Sequence, residues 1–190
     1  MRNQIRIVAA AILAVLVLGA CTTTQVTKSE APQKPKSIIL LISDGNGLSQ
    51  LSALRYSTDD FQFNRFKSVG IVTTHPVGKL ITDSAAGATA FATGEKTRNG
   101  MVSMLPDGTK PKTVLEIAEE LGKSTGLVAT SQLTHATPAC FGAHAEARGE
   151  EMEIARQMAA QDIEVLLGGG QKFFLTNDNA GNLVQGMEHK

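Results

Sequence analysis

The sequence is poor in cysteine, nearly devoid of large polar aromatics and without an excess of either charge. Its 190 residues include 2 Cys, 1 Tyr and no Trp. Two cysteines are too few for a disulfide scaffold of this length, and the missing aromatics argue against a platform that stacks nucleic-acid bases. The 18 basic and 18 acidic side chains cancel, which argues against nucleic-acid binding through phosphate contacts. The hydrophobic content of 42% predicts a folded chain, either one domain or part of a larger one.

The first twenty residues have the pattern of an export signal. Arg2 and Arg6 precede an unbroken apolar run over residues 7–18, which is shorter than the roughly 20 residues of a membrane span and typical of a secretory signal. Small residues then lead into Cys21, a pattern that resembles the bacterial lipoprotein signal and predicts lipidation of that thiol. A plain signal peptide with a chance cysteine, or a short anchor, is the alternative.

These features predict a signal peptide at 1–20 and a flexible, polar tether at 21–35. The protein would then be lipid-anchored in the cell envelope, on the outer-membrane or periplasmic side if the cell is Gram-negative. Residues 36–175 would form the folded part, followed by a polar tail at 176–190.

Apolar runs and helical patterns alternate along the folded part. We predict strands at residues 37–43, 69–74, 125–130 and 163–167, and helices at 48–56, 84–93, 112–121 and 150–160. This alternation predicts an α/β fold with a parallel sheet covered by helices on both faces.

Reactive side chains follow the predicted strands, which is where open α/β sheets place their chemistry. Asp44 follows the first strand, and His135 and Thr137 follow the third. Ser84 begins the Ala-rich helix, and Arg148 precedes the last helix. Asp44, His135, Ser84 and Arg148 have ordinary explanations as well: a turn Asp, a loop His, a helix N-cap Ser and a solvated Arg.

The same residues stand in an order that closely resembles the alkaline phosphatase family. The most specific stretch reads Asp-Ser-Ala-Ala-x-Ala-Thr-Ala from residue 83 and continues with Gly-x-Lys-Thr-x-Asn-Gly from residue 94. Asp-Gly-x-Gly from residue 44, His-Ala-Thr-Pro-Ala from residue 135, Arg148 and the three glycines from residue 168 complete the pattern. The resemblance covers residues 36–174 and implies the parallel-sheet α/β/α sandwich of the alkaline phosphatase superfamily, incomplete at its carboxyl end.

The resemblance implies a hydrolase of phosphate monoesters. Ser84 is similar to the nucleophile that becomes phosphoserine, Arg148 to the guanidinium that grips the phosphate, and Asp83 to the neighbour that orients this Arg. A planar guanidinium suits two phosphoryl oxygens at once. The family is commonly dimeric, which implies a homodimer for the complete protein.

The resemblance also implies two Zn²⁺ and one Mg²⁺ as cofactors. Asp44 is similar to the carboxylate that bridges magnesium and one zinc, and Thr137 to a magnesium ligand. His135 stands where members carry Asp or His, and with His the contact to metal is often through water. Oxygen ligands such as these suit Mg²⁺.

The chain departs from the family in its metal ligands. The family takes most of its zinc ligands from a later part of the sequence, whereas this chain has four His, at positions 75, 135, 144 and 189. We therefore expect the amino-terminal part of a phosphatase, inactive alone. Two alternatives stay open: a non-catalytic lipoprotein that binds phosphate or a partner, and a sister phosphodiesterase or sulfatase. The nucleophile segment lacks the Pro and Arg typical of sulfatases.

Overall fold

The computed structural model describes residues 35–175. The predicted signal peptide, Cys21 and nearly all of the tether therefore lie outside the described residues, as does the tail after residue 175. The contacts divide the chain into two units, residues 1–41 and residues 42–190. The described part of the first unit, residues 35–41, has no helix or strand.

The second unit alternates helices with two strands. In chain order they are helix α1 (Leu48–Ser57), a 3-10 turn (Gln62–Arg65), α2 (Ser84–Thr93), α3 (Val114–Glu120), strand β1 (Gly126–Gln132), α4 (Ala136–Gly142), α5 (Glu151–Ala160), strand β2 (Val165–Gly169) and α6 (Gln171–Phe174). Across residues 35–175, none of these helices has the length and apolarity to cross a bilayer.

Helix α2 follows directly from its sequence. Five alanines favour the helix, the side chain of Asp83 caps its start by accepting a hydrogen bond from the backbone N–H of Ala86 (2.9 Å), and Gly94 ends it. Gly94 adopts φ +77°, a left-handed conformation that glycine takes at little cost. Small side chains let α2 pack closely against α4, and most of its residues are buried.

The two strands form a parallel sheet in which residues 126–128 pair with residues 165–167. The α/β class and the parallel pairing are therefore confirmed. Because side chains alternate between sheet faces, Leu127 packs into the core beneath the helices while Val128 points away from it. Val128 is 74% exposed and Leu167 is 60% exposed, so in the described part helices cover one face of this sheet.

Two predicted strands, at residues 37–43 and 69–74, are wrong. Neither segment is helix or strand. A strand is stable only when its backbone N–H and C=O groups pair with a neighbouring strand, and within residues 35–175 the sheet has only β1 and β2. In the second segment, Val69 and Ile71 are 93% and 99% exposed, so no apolar contact supports it either.

Helix α4 was not predicted from the sequence, although it carries site residues. Pro138 lies in its first turn, where a missing backbone N–H is tolerated. The six residues from Pro138 to Ala143 are all buried, and Ala139, Cys140, Phe141 and Ala143 belong to the hydrophobic core. The helix therefore depends on tertiary packing more than on its own propensity.

Candidate active site

Ser84 is the first residue of α2, and its hydroxyl points at a carboxylate brought from forty residues earlier in the chain. Ser84 Oγ donates a hydrogen bond to Asp44 Oδ1 at 2.9 Å. Asp44 lies in a turn that Gly45 closes with φ +67°, a conformation in which glycine is favoured. The helix start and the tight turn thus place a serine and a carboxylate in direct contact.

A second hydroxyl approaches the same carboxylate from α4. Thr137 Oγ1 donates to Asp44 Oδ2 at 2.8 Å. This hydrogen bond is the main reason that the pKa of Asp44 lies below its usual value; partial burial opposes it, and the bond from Ser84 and the nearby His135 and Arg148 lower the pKa further. Asp44 is therefore a stabilised carboxylate with both oxygens engaged.

Arg148 lies beside this cluster and is held by two partners. Its Nη1 is 3.5 Å from Asp83 Oδ2, and its side chain is 32% exposed. Its Nη2 is 3.1 Å from His135 Nε2. Because a guanidinium can only donate, Arg148 is the donor in this contact. Asp83 and His135 thus fix the guanidinium plane while leaving part of it open to solvent.

Asp83 also connects helix α2 to the backbone of the Arg148 segment. Its Oδ1 caps α2, and its Oδ2 accepts from the backbone N–H of Gly100 at 2.9 Å. The carbonyl of Gly100 in turn accepts from the backbone N–H of Arg148 at 2.7 Å. The structure therefore brings the six residues predicted for catalysis and metal binding into one neighbourhood: Asp44, Asp83, Ser84, His135, Thr137 and Arg148.

Asn99 belongs to the motif that begins at residue 94, but the sequence pattern indicates no role for it. Asn99 Oδ1 accepts from the backbone N–H of Asp83 (3.2 Å), and its Nδ2 donates to the carbonyl of Ile81 (3.0 Å). The amide thereby fixes the backbone just before Ser84. Asn99 and Gly100 form an Asn-Gly pair, which predicts a turn. That turn is the one feature of the sequence that could have indicated a structural role for Asn99.

The oxygen atoms around Asp44 fit part of a magnesium site. A carboxylate offers about four lone-pair positions, so the two hydrogen bonds leave Asp44 able to bind a cation, and Thr137 adds a hydroxyl oxygen. Such hard oxygen donors suit Mg²⁺. A zinc site does not fit, because within residues 35–175 no three His, Cys, Asp or Glu side chains come together, and zinc usually takes three or more protein ligands.

Comparison with known proteins places this geometry in a family. Residues 35–187 match the family model described as alkaline phosphatase. Alkaline phosphatase 3 of Bacillus subtilis strain 168 is 39% identical over 198 residues, which cover 92% of this chain and 42% of that protein. The chain thus spans less than half the length of the relatives that it matches.

Solved structures agree with the sequence comparison. Alkaline phosphatase from the Antarctic bacterium TAB5 matches with a TM-score of 0.72 and 41% identity, over 77% of this chain and 43% of that chain. A TAB5 variant with a histidine replaced by glutamate, which has Mg bound in its M3 site, matches with the same TM-score and coverage at 40% identity. The match of the family model over most of the sequence shows that the chain belongs to the alkaline phosphatase family.

Proposed function

We propose that the chain supplies the nucleophile and the phosphate-binding guanidinium of a phosphomonoesterase that works through a phosphoserine at Ser84. The convergence of Ser84, Asp44 and Arg148 carries this proposal. In the proposed reaction Ser84 Oγ loses its proton to solvent and forms a bond to phosphorus, while the bond from phosphorus to the alcohol oxygen breaks and that oxygen takes a proton from solvent. Water then attacks phosphorus and breaks its bond to Oγ, which takes back a proton as inorganic phosphate leaves.

Asp44 orients Ser84 and is poorly suited to be its base. Ser84 Oγ donates to the carboxylate, so the lone pairs of Oγ remain available for attack. The lowered pKa of Asp44 makes it a weaker base than an ordinary carboxylate, which disfavours full transfer of the serine proton to it. The carboxylate is instead suited to hold the hydroxyl and to bind a cation.

Two groups in this chain would bind the phosphoryl oxygens. Arg148 offers a planar fork of N–H donors, held in place by Asp83 and His135. The amino-terminal end of the ten-residue helix α2 lies at Ser84, and unpaired backbone N–H groups at such an end favour negative charge. Together they would stabilise the charge that develops on the phosphoryl group.

We propose that Asp44 and Thr137 hold Mg²⁺, with His135 acting indirectly because its Nε2 already accepts from Arg148. Bound divalent metals supply positive charge and lower the pKa of a coordinated hydroxyl or water. The zinc ligands would have to come from outside residues 35–175, since no three suitable side chains meet there.

A chimaera tests the proposed reaction. The chain would replace the matching segment of Bacillus subtilis alkaline phosphatase 3, and turnover of p-nitrophenyl phosphate would be measured with Zn²⁺ and Mg²⁺. We expect turnover in the chimaera, none above background in the 190-residue chain alone, and loss of the chimaera's turnover in Ser84→Ala. A Ser43→Ala chimaera, which changes an exposed serine beside Asp44, is the matched control. An active Ser84→Ala chimaera would refute the assignment of Ser84 as the nucleophile. Comparing turnover of p-nitrophenyl phosphate with that of bis-p-nitrophenyl phosphate separates monoesterase from diesterase activity.

We further propose that the protein is anchored in the cell envelope by a lipid on Cys21. The pattern of residues 1–21 supports this. Metabolic labelling with palmitate should mark the wild-type chain and leave Cys21→Ser unlabelled; equal labelling of both would refute the anchor.

We also propose that the complete enzyme is a homodimer. Analytical ultracentrifugation would measure its mass in solution, and a monomer mass would refute this proposal.

A further inference from the structure

Ser103 has a backbone conformation that serine rarely adopts. Its φ is +40°, and it is the only non-glycine residue with positive φ within residues 35–175. The residue is also fully buried, with 0% exposure. A non-glycine residue in this region costs free energy and persists only where surrounding contacts hold it there.

Three contacts hold Ser103, and each leads to a different segment of the candidate site. Its backbone N–H donates to Thr89 Oγ1 in α2 at 3.0 Å. Its hydroxyl donates to the carbonyl of Cys140 in α4 at 2.5 Å. Its carbonyl pairs with Nδ1 of His144 at 2.5 Å.

The segment after His144 leads to the guanidinium. Ala145 and Val102 form an antiparallel bridge through two 2.9 Å backbone hydrogen bonds, and Arg148 follows three residues later. The contacts of Ser103 and its neighbour Val102 therefore reach all three segments: the one that carries Ser84, the one that carries Thr137 and the one that carries Arg148.

The contacts lie close enough to the site to set its geometry. Thr89 is five residues after Ser84 in α2, and Cys140 is three residues after Thr137 in α4. At 1.5 Å per residue these separations are about 7.5 and 4.5 Å along rigid helices. Hydrogen bonds weaken once they lengthen by a few tenths of an ångström. A small shift between α2 and α4 would therefore prevent Ser84 and Thr137 from donating to Asp44 at the same time.

We propose that Ser103 is a positioning residue: its strained, buried backbone and its hydroxyl hold the Ser84 helix, the Thr137 helix and the Arg148 segment in the register that the site requires. The inference rests on the proposed function for its catalytic meaning. Its structural content, the coupling between Ser103 and the Thr137–Asp44 contact, can be measured without any catalysis.

The first measurement is a double-mutant cycle on the stability of the full 190-residue chain. Ser103→Gly removes the hydroxyl, and glycine adopts φ +40° readily, so this variant is expected to fold. Thr137→Val removes the bond to Asp44. We expect the shift in urea midpoint caused by Thr137→Val to fall by about half in the Ser103→Gly background, because contacting networks are non-additive while distant sites are additive.

A matched control separates positioning from general loss of a buried hydrogen bond. Thr97 is also fully buried and donates to the carbonyl of Met104 at 2.5 Å. Thr97→Val should leave the effect of Thr137→Val unchanged. If the strained backbone of Ser103 had no positioning role, Ser103→Gly would relieve the strain and raise the urea midpoint. The effect of Thr137→Val would then be the same in both backgrounds, and that result would overturn the inference.

The second measurement is the affinity for inorganic phosphate in the presence of Mg²⁺, by isothermal titration. We expect binding in the wild-type chain and about tenfold weaker binding in Ser103→Gly, since displacements of about an ångström in such sites have effects of this size or larger. Coupling in the cycle without phosphate binding by the wild type would leave the positioning role standing and remove the proposed phosphate site. Additivity in the cycle, or unchanged phosphate affinity in Ser103→Gly, would refute the positioning role.

Discussion

Replacing Asp83 by Ala should destabilise the chain far more than an exposed carboxylate normally does. The substitution removes the cap of α2, worth about 1 kcal/mol, and it leaves the partly buried N–H of Gly100 without its acceptor, which costs about 1–3 kcal/mol. The ion pair with Arg148 is roughly one-third exposed at each partner, so it adds at most about 1 kcal/mol. We expect a loss of about 2–5 kcal/mol in the free energy of unfolding.

Urea unfolding at pH 7, followed by circular dichroism, measures this loss. Asp83→Asn separates its parts: Asn is a good N-cap, but its amide N–H group would face the Gly100 N–H, so about 1 kcal/mol should be recovered and no more. Asp107 is a matched control, since its exposed carboxylate accepts hydrogen bonds only within its own turn, from Thr109 and from its own backbone. The reasoning fails if Asp83→Ala costs no more than Asp107→Ala.

Two further predictions concern titratable groups. The pKa of Asp44 is lowered in the folded chain, first by the Thr137 hydrogen bond, so its stabilising effect is present above the ordinary Asp pKa of about 3.9 and is lost as the pH falls through the lower folded value. The stability difference between wild type and Asp44→Asn, measured by urea unfolding, should therefore be larger at pH 7 than at pH 3; equal differences would contradict it. Burial raises the pKa of the Cys140 thiol, so a Cys21→Ser chain should react with Ellman's reagent only after unfolding, whereas rapid reaction of the folded chain would contradict this.

Four helices, α1, α2, α3 and α5, could be predicted because their signals are local, whereas α4 and α6 could not. The predicted helix at 84–93 coincides with α2, since alanines, an Asp cap and a terminal Gly lie within the segment. The predicted helix at 112–121 begins later, at Val114, because Thr113 is its N-cap and forms a capping box with Glu116. The sequence held that signal too, as a Thr followed three residues later by a Glu.

The strands were harder to predict because pairing is not local. The predicted strands at 125–130 and 163–167 correspond to β1 and β2, but each observed strand ends two residues later, and they begin one and two residues later, respectively. Residues 37–43 and 69–74 have equally apolar sequences but no neighbour in the described sheet. A strand pattern indicates that a segment can pair, but the neighbouring strand with which it pairs is determined by the tertiary structure.

The reactive residues of the candidate site could be predicted from the sequence, whereas Ser103, which we propose positions them, could not. The resemblance to alkaline phosphatases identified Ser84, Asp44 and Arg148 from the sequence. The structure brings these residues together although they are up to 104 positions apart. Ser103 had no such signal, because neither propensity nor motif predicts a serine at positive φ. Its importance follows only from the three segments that it touches, which explains why the sequence predicts the reactive groups more readily than the residues that position them.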